Sequence, residues 1–270
     1  MKAFLPSWQP GGIPVDLAAS VPTAADEEPV PSDGFRATAL LDVRGLQIVG
    51  STRTDAPVLA TGISLSVARG EIIGLVGVAG SGTREIALAI AGRLPGPAVI
   101  AAGSILIDGQ EVVGASRRAL HRLRETKISL VPLGAPSGLS SFTTVGGRLA
   151  RTLRRKEDLS QLDPAALLQL TIADAVSSRP DILILDEPAR RLDAAGETAA
   201  LELCHRFRQE FGLSVIVVSR DLGRVAATCD RVAVVEAGRV VEHGSAAETV
   251  AAPQHPYTRS LLEAARTARL

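Results

Sequence analysis

A glycine-rich segment, GVAGSGTR, has the glycine spacing of the phosphate-binding loop G-x-x-x-x-G-K-[ST]. Glycines in this frame let backbone N–H groups surround a phosphate at a helix N-terminus, where the helix dipole favours an anion. The last two motif positions differ, because Thr83 replaces the lysine and Arg84 replaces the hydroxyl residue. A glycine-rich structural turn is the alternative interpretation. The candidate nucleotide contacts are Gly77, Gly80, Ser81, Gly82, Thr83 and Arg84.

The missing lysine cannot be recovered by shifting the register of this motif. The lysines of the chain are Lys2, Lys127 and Lys156, all distant in sequence from the loop. In phosphate-binding loops the lysine reaches the β- and γ-phosphates, and the hydroxyl holds Mg²⁺. The sequence therefore predicts a phosphate loop without its usual cation and without its usual metal ligand.

A second candidate lies about one hundred residues later, where the apolar run ILIL ends in Asp186 and Glu187. Two carboxylates at the end of a buried strand are costly unless they face a cation or water. Asp186 is placed to hold Mg²⁺, and Glu187 to orient or deprotonate an attacking water. The alternative is an acidic cap on the next helix, a role that suits Asp193 better. The two motifs in this order predict a nucleotide-binding cassette.

The elements around these motifs alternate between strands and helices. GEIIGLVG, DILILDEP and LSVIVVS read as buried strands, and EIALAIAGRL reads as a helix that follows the glycine loop. Asp163 and Pro164 form a favourable start for a helix that runs to Ser178. This pattern predicts a mainly parallel sheet covered by helices.

Composition narrows the class of protein. The 270 residues are 46% hydrophobic and 21% charged, as in soluble globular chains, and Lys+Arg and Asp+Glu both number 29. A net charge of zero gives no overall field for nucleic acid, so no nucleic-acid partner is expected. The two cysteines form no disulfide framework, and no apolar run is long enough for a transmembrane helix or signal peptide. We therefore expect a cytoplasmic protein, with residues 1–38 as a flexible, proline-rich arm.

From about residue 41 to 265 the chain resembles ATP-binding subunits of ABC transporters, specifically the oligopeptide, dipeptide and nickel importer branch. The resemblance rests on GEIIGLVGVAGSG, PDILILDEPARRLD and VIVVSRDLGRVAATCDRVAVVEAGRVVEHG, and on the tail PQHPYTRSLLEA, which contains the HPYTR motif. It implies an α/β fold of the P-loop nucleotide hydrolase type, with a mainly parallel core and an antiparallel β subdomain. The implied cassette spans 39–250, with a reduced helical subdomain at about 134–178, and 251–270 forms a tail helix.

The resemblance also implies partners and cofactors. Such subunits bind ATP and Mg²⁺ between two cassettes and drive two membrane permease subunits from the inner face of the cell membrane. A substrate-binding protein delivers the substrate to the permeases. Some relatives carry a cysteine cluster after the tail motif, and its absence here predicts no iron–sulfur cluster.

Several family positions carry unusual residues in this chain. The γ-phosphate-sensing glutamine falls on Leu133, the signature segment on Asp163 and Pro164, and the switch histidine on Arg220. No aromatic residue lies between Ile48 and Ser51, where the family stacks one on adenine. The retained positions are Gly77, Gly80, Gly82, Asp186, Glu187, and the interface loop Leu192 and Asp193.

Three functions are compatible with this combination of replaced and retained family positions. The first is a degenerate cassette, inactive or severely impaired as an ATPase on its own, that pairs with a complete cassette in a peptide importer. The second is an active ATPase that uses unusual residues, with Arg84 replacing the lysine. The third is a scaffold or regulatory subunit without nucleotide. Because the lysine, hydroxyl, glutamine and histidine are all replaced, the first function is favoured, with weak, non-hydrolysed ATP and at most weak Mg²⁺ at Asp186.

Overall fold

The computed structural model describes residues 39–132, 164–188 and 194–267. Several predictions lie outside these ranges: the arm at 1–38, most of the reduced helical subdomain, and the roles given to Leu133, Asp163, Leu192 and Asp193. The described strands are β1 (Ala39–Val49), β2 (Val58–Ala68), β3 (Ile72–Val76), β4 (Val99–Ile107), β5 (Gln110–Glu111), β6 (Ile128–Val131), β7 (Ile182–Asp186), β8 (Ser214–Ser219), β9 (Arg231–Glu236) and β10 (Arg239–Ser245). The described helices are α1 (Thr83–Ile90), α2 (Arg117–Thr126), α3 (Pro164–Val176), α4 (Ala194–Phe211), α5 (Leu222–Ala226), α6 (Ala246–Ala251) and α7 (Pro256–Thr267).

A six-stranded sheet in the order β10-β9-β3-β8-β7-β6 forms the centre of the fold. All neighbouring pairs are parallel except β9 and β10, which form an antiparallel hairpin. Every residue of β3, β7 and β8 is buried, so both faces of these strands are covered. This confirms the mainly parallel core that the apolar runs predict.

An antiparallel sheet in the order β2-β1-β4-β5 packs against the central sheet. Its inward side chains, among them Leu41, Ile63 and Ile105, share one hydrophobic cluster with Ile86 of α1 and Ile216 of β8. That shared core fixes the position of α1, and therefore of the glycine loop in front of it, between the two sheets.

Two details of the helices differ from the sequence prediction. α1 ends at Ile90, whereas the apolar spacing predicts a longer helix, because Gly92 adopts φ +60° and the Arg93 N–H bonds back to the Leu88 carbonyl. α6 has no counterpart in the sequence prediction, although Ser245 and Glu248 form a capping box in which the serine hydroxyl accepts from the Glu248 N–H at 3.2 Å.

Both cysteines are free and buried in the core on the opposite side of the central sheet from α1. Burial raises the pKa of Cys204 and of Cys229 to about 12. Thiols in this state are not nucleophiles at neutral pH.

Within the described ranges, no helix has both the length and the apolar character that a membrane crossing requires.

Candidate functional site

The carboxyl ends of three neighbouring parallel strands, β3, β8 and β7, meet at one edge of the central sheet. The end of β8 is bonded to both neighbours. The Gly77 N–H donates to the Ser219 carbonyl at 3.2 Å, and the Glu187 N–H donates to the Val218 carbonyl at 3.0 Å. The glycine loop and the acidic pair, which lie far apart in sequence, are therefore adjacent at the edge where α/β folds bind ligands.

The glycine loop adopts a backbone shape that other residues would strain. Gly82 is the N-cap of α1 with φ 96°, and a Cβ there would collide with the Leu59 carbonyl oxygen. A Cβ on Gly77 would collide with the Val235 carbonyl oxygen and the Ser81 side chain. Gly82 has no side chain of its own to cap the N-terminus of α1. This arrangement leaves the first-turn N–H groups suited to an anion such as phosphate.

Thr83 does not offer the cationic group that the phosphate-loop lysine would supply. Its side chain is buried, with the residue 6% exposed, and its hydroxyl lies 3.3 Å from the Ser81 hydroxyl. The Ser81 carbonyl in turn accepts the Gly238 N–H at 2.8 Å. Ser81 and Thr83 therefore help to hold the loop against the β9–β10 turn.

Arg84 and Asp186 form an ion pair across the site. Arg84 Nε donates to Asp186 Oδ2 at 2.9 Å, with the Asp186 side chain 1% exposed and the Arg84 side chain 49% exposed. The hydrogen bond to Asp186 raises the pKa of Arg84, and nearby acidic charges add to the effect. The guanidinium thus stays charged and holds the carboxylate expected to bind metal.

Arg220 and Glu187 form a second ion pair beside the first. Arg220 Nε donates to Glu187 Oε1 at 2.9 Å, and Nη2 lies 2.8 Å from the same oxygen. Glu187 has φ 45°, a left-handed conformation that is uncommon for residues other than glycine and recurs at functional sites. The side chain placed to act as a general base is therefore bound by a permanent cation.

A Mg²⁺ ion requires several oxygen ligands in an octahedral arrangement. Here Arg84 can only donate hydrogen bonds, and it holds one of the two Asp186 oxygens. Asp186 Oδ1 is buried and has no partner among the described residues. These residues do not fit the metal that the fold family uses, because a guanidinium stands in the place of both the metal ligand and the metal charge.

Other predicted positions are less informative. Pro164 is the first residue of α3 and is exposed. Ile48, near the expected adenine-stacking position, is fully buried. Leu133, Asp163, Leu192 and Asp193 lie outside the described residues.

One contact to the loop has no counterpart in the sequence prediction. The Val78 N–H donates to the hydroxyl of Tyr257, at the start of α7, at 3.0 Å. The HPYTR motif marked this tyrosine as part of a tail, but 179 positions separate the two residues. No local pattern connects residues so far apart, so sequence reasoning had no signal for the pair.

A glycine-rich phosphate loop after β3 and an acidic pair at the end of β7, on a mainly parallel sheet that packs against an antiparallel one, define an ATP-binding cassette fold. The ABC transporter family matches residues 60–190 of the chain. The oligopeptide transport ATP-binding protein OppD of Escherichia coli (strain K12) is 30% identical over 264 residues, covering 87% of this chain and 78% of OppD. The putative peptide import ATP-binding protein BOV_A0347 of Brucella ovis is 33% identical over 254 residues, covering 84% of this chain and 78% of BOV_A0347. The chain therefore belongs to the ATP-binding proteins of ABC transporters.

Solved structures agree on the fold. The ATP-binding cassette MJ0796, solved as a dimer bound to ADP and Pi, matches with a TM-score of 0.61 and 18% sequence identity. The match covers 76% of this chain and 98% of MJ0796. The predicted fold class, an α/β P-loop ABC cassette with a mainly parallel core and an antiparallel β subdomain, is thereby confirmed.

Proposed function

We propose that this protein is a degenerate ATP-binding cassette subunit of an ABC importer for peptides. Its own site binds ATP weakly and with little dependence on Mg²⁺, and it does not hydrolyse the nucleotide. The observation that carries this proposal is the pair of arginines, Arg84 and Arg220, bound to the two carboxylates that hydrolysis would need. Peptide import is supported by the relatives, whose names describe oligopeptide transport and peptide import.

ATP binding without hydrolysis agrees with the described loop. Gly82 has no side chain of its own to cap the first turn of α1, and Arg84 places a half-exposed guanidinium in the same turn. Arginine presents several donors in a planar fork and suits phosphate oxygens. An intact loop backbone combined with a lost metal ligand predicts binding of the anion without the metal chemistry.

The proposed partners are a complete cassette, two membrane permease subunits and, indirectly, a substrate-binding protein. The cassette MJ0796, which shares this fold, was solved as a dimer. In a pair with a complete cassette, the partner would hydrolyse ATP, and this chain would complete the pair without hydrolysing it. The assembly would lie on the inner face of the membrane.

The isolated protein should show no ATP hydrolysis above background. Arg220 binds Glu187 Oε1 through two nitrogens and so orients this carboxylate toward a guanidinium rather than toward an attacking water, and a permanently protonated arginine cannot relay a proton. The rate of phosphate release from ATP, measured in the presence of Mg²⁺, should be the same for the purified full-length protein and for its Glu187→Gln variant.

The matched control is Glu202→Gln, which makes the same chemical change on an exposed glutamate of α4. Hydrolysis that disappears in Glu187→Gln and persists in Glu202→Gln would contradict the proposal, because a contaminating ATPase does not depend on Glu187. That outcome would favour an active ATPase that uses unusual residues.

A further inference from the structure

The tail helix α7 contacts the nucleotide loop directly. The Tyr257 hydroxyl accepts the Val78 N–H at 3.0 Å, and Val78 is the first residue after Gly77 in the loop. The Val78 carbonyl accepts the Ser81 N–H at 3.0 Å and so closes a turn over residues 78–81. Tyr257 therefore holds the base of the turn from which the phosphate-facing part of the loop begins.

The loop that leads into Tyr257 is held by hydrogen bonds to β10 and to α7. The Glu242 carboxylate on β10 accepts the Gln254 and His255 N–H groups, each at 2.9 Å. Burial alone would raise the pKa of Glu242, but these N–H donors together with the neighbouring Thr258 and His255 side chains outweigh it and lower the pKa, so the carboxylate stays ionised. Arg259 donates to the Pro253 and Gln254 carbonyls at 3.1 and 2.9 Å. The loop before α7 is thus bound both to Glu242 of β10 and to Arg259 of α7.

The body of α7 is anchored in the core. Thr258, Leu261 and Leu262 are 0%, 6% and 7% exposed, and the two leucines join the hydrophobic cluster that contains Val76, the last residue of β3. The tail and the strand that leads into the loop therefore share one core. By contrast, Val78 is 49% exposed, and Ala79 and Gly80 are exposed as well. The hydroxyl of Tyr257 is a polar anchor on an otherwise exposed part of the loop.

We infer that Tyr257 is a positioning residue for nucleotide binding, through which the tail helix holds the phosphate loop in its binding-competent shape. This inference rests on the proposed nucleotide binding. Because binding and tail docking share the contact, each must favour the other by the same factor. The docking of the tail helix should therefore report on nucleotide binding at the loop.

The size of the effect follows from the loss of one hydrogen bond. A neutral hydrogen bond contributes about 0.5–1.5 kcal/mol, so Tyr257→Phe should weaken ATP binding by about 2- to 10-fold. Phenylalanine keeps the ring, so packing should be preserved. The matched control is Thr267→Val, which removes a hydroxyl from the far end of the same helix, where its hydrogen bond to the Glu263 carbonyl lies within α7.

The experiment uses the single tyrosine of the chain. Full-length protein carrying 3-fluorotyrosine gives one ¹⁹F resonance, which should shift when ATP is added in EDTA. Calorimetric titration of wild type, Tyr257→Phe and Thr267→Val with ATP should show weakened binding in Tyr257→Phe alone. The Val78 amide should also exchange with solvent faster in Tyr257→Phe before any ATP is added.

Two failures are distinguishable. If the wild type binds ATP but the ¹⁹F resonance stays fixed and Tyr257→Phe binds equally well, the role of Tyr257 is overturned while the proposed function stands. If the wild type binds no ATP, the proposed nucleotide binding is overturned, and this role of Tyr257 falls with it.

Discussion

In the assembled transporter, Glu187→Gln should leave peptide transport unchanged, whereas the equivalent change in the partner cassette should abolish it. Glu187 is 14% exposed and its Oε1 is bound twice by Arg220, so its charge is already compensated before any substrate arrives. A positioned general base contributes about 100- to 10,000-fold to a rate. We expect this rate contribution to come entirely from the equivalent glutamate of the partner cassette.

The measurement is uptake of a labelled peptide by proteoliposomes that contain this chain, its partner cassette and the permeases. Glu202→Gln serves again as the surface control. If Glu187→Gln abolishes uptake and the partner's change does not, Glu187 is the working base and the degenerate assignment is wrong.

Arg84→Ala should destabilise the fold by about 1–3 kcal/mol, because it leaves a buried carboxylate without its cation. Asp186 is 1% exposed, and Oδ1 already lacks a partner among the described residues. Breaking a fully buried pair costs about 3–5 kcal/mol. Arg84 is half exposed, so water can enter in its place, and the expected cost is smaller.

A double-mutant cycle measures this pair. Asp186→Asn should cost less than Arg84→Ala, since the exposed guanidinium can be solvated, and the double variant should be less destabilised than the sum of the singles. Urea unfolding gives the free energy of unfolding of each variant, provided that its dependence on urea concentration has the same slope in all of them. The exposed pair Arg53 and Asp55, with side chains 78% and 73% exposed, is the control and should show almost no coupling. Equally small coupling for both pairs would show that Arg84 does not neutralise Asp186.

Much of the fold follows from residue patterns that act locally. Apolar runs such as ILIL and VIVV predict buried parallel strands, and the structure confirms them as β7 and β8. Helix ends were less predictable, because the left-handed Gly92 overrides the apolar spacing that would extend α1. The capping box at Ser245 shows the reverse case, in which a usable signal for α6 was present.

The site was predictable only in part. Glycine spacing and the acidic strand end identify which residues meet at the sheet edge. Which side chain reaches which partner depends on the strand order β3-β8-β7, which a single sequence does not contain. Arg84 and Arg220 therefore stand out in the sequence as substitutions, whereas the structure shows each bound to one of the retained carboxylates.

Calorimetric titration of ATP into this protein, with Mg²⁺ and then with EDTA, tests the central claim that a guanidinium stands where a metal would be held. The wild-type affinity should change by less than about threefold between the two conditions, since Arg84 supplies fixed charge and no metal ligand. Arg84→Ser restores a hydroxyl and frees Asp186, so its affinity should gain about tenfold from Mg²⁺. A strictly Mg²⁺-dependent affinity of the wild-type protein would contradict the account.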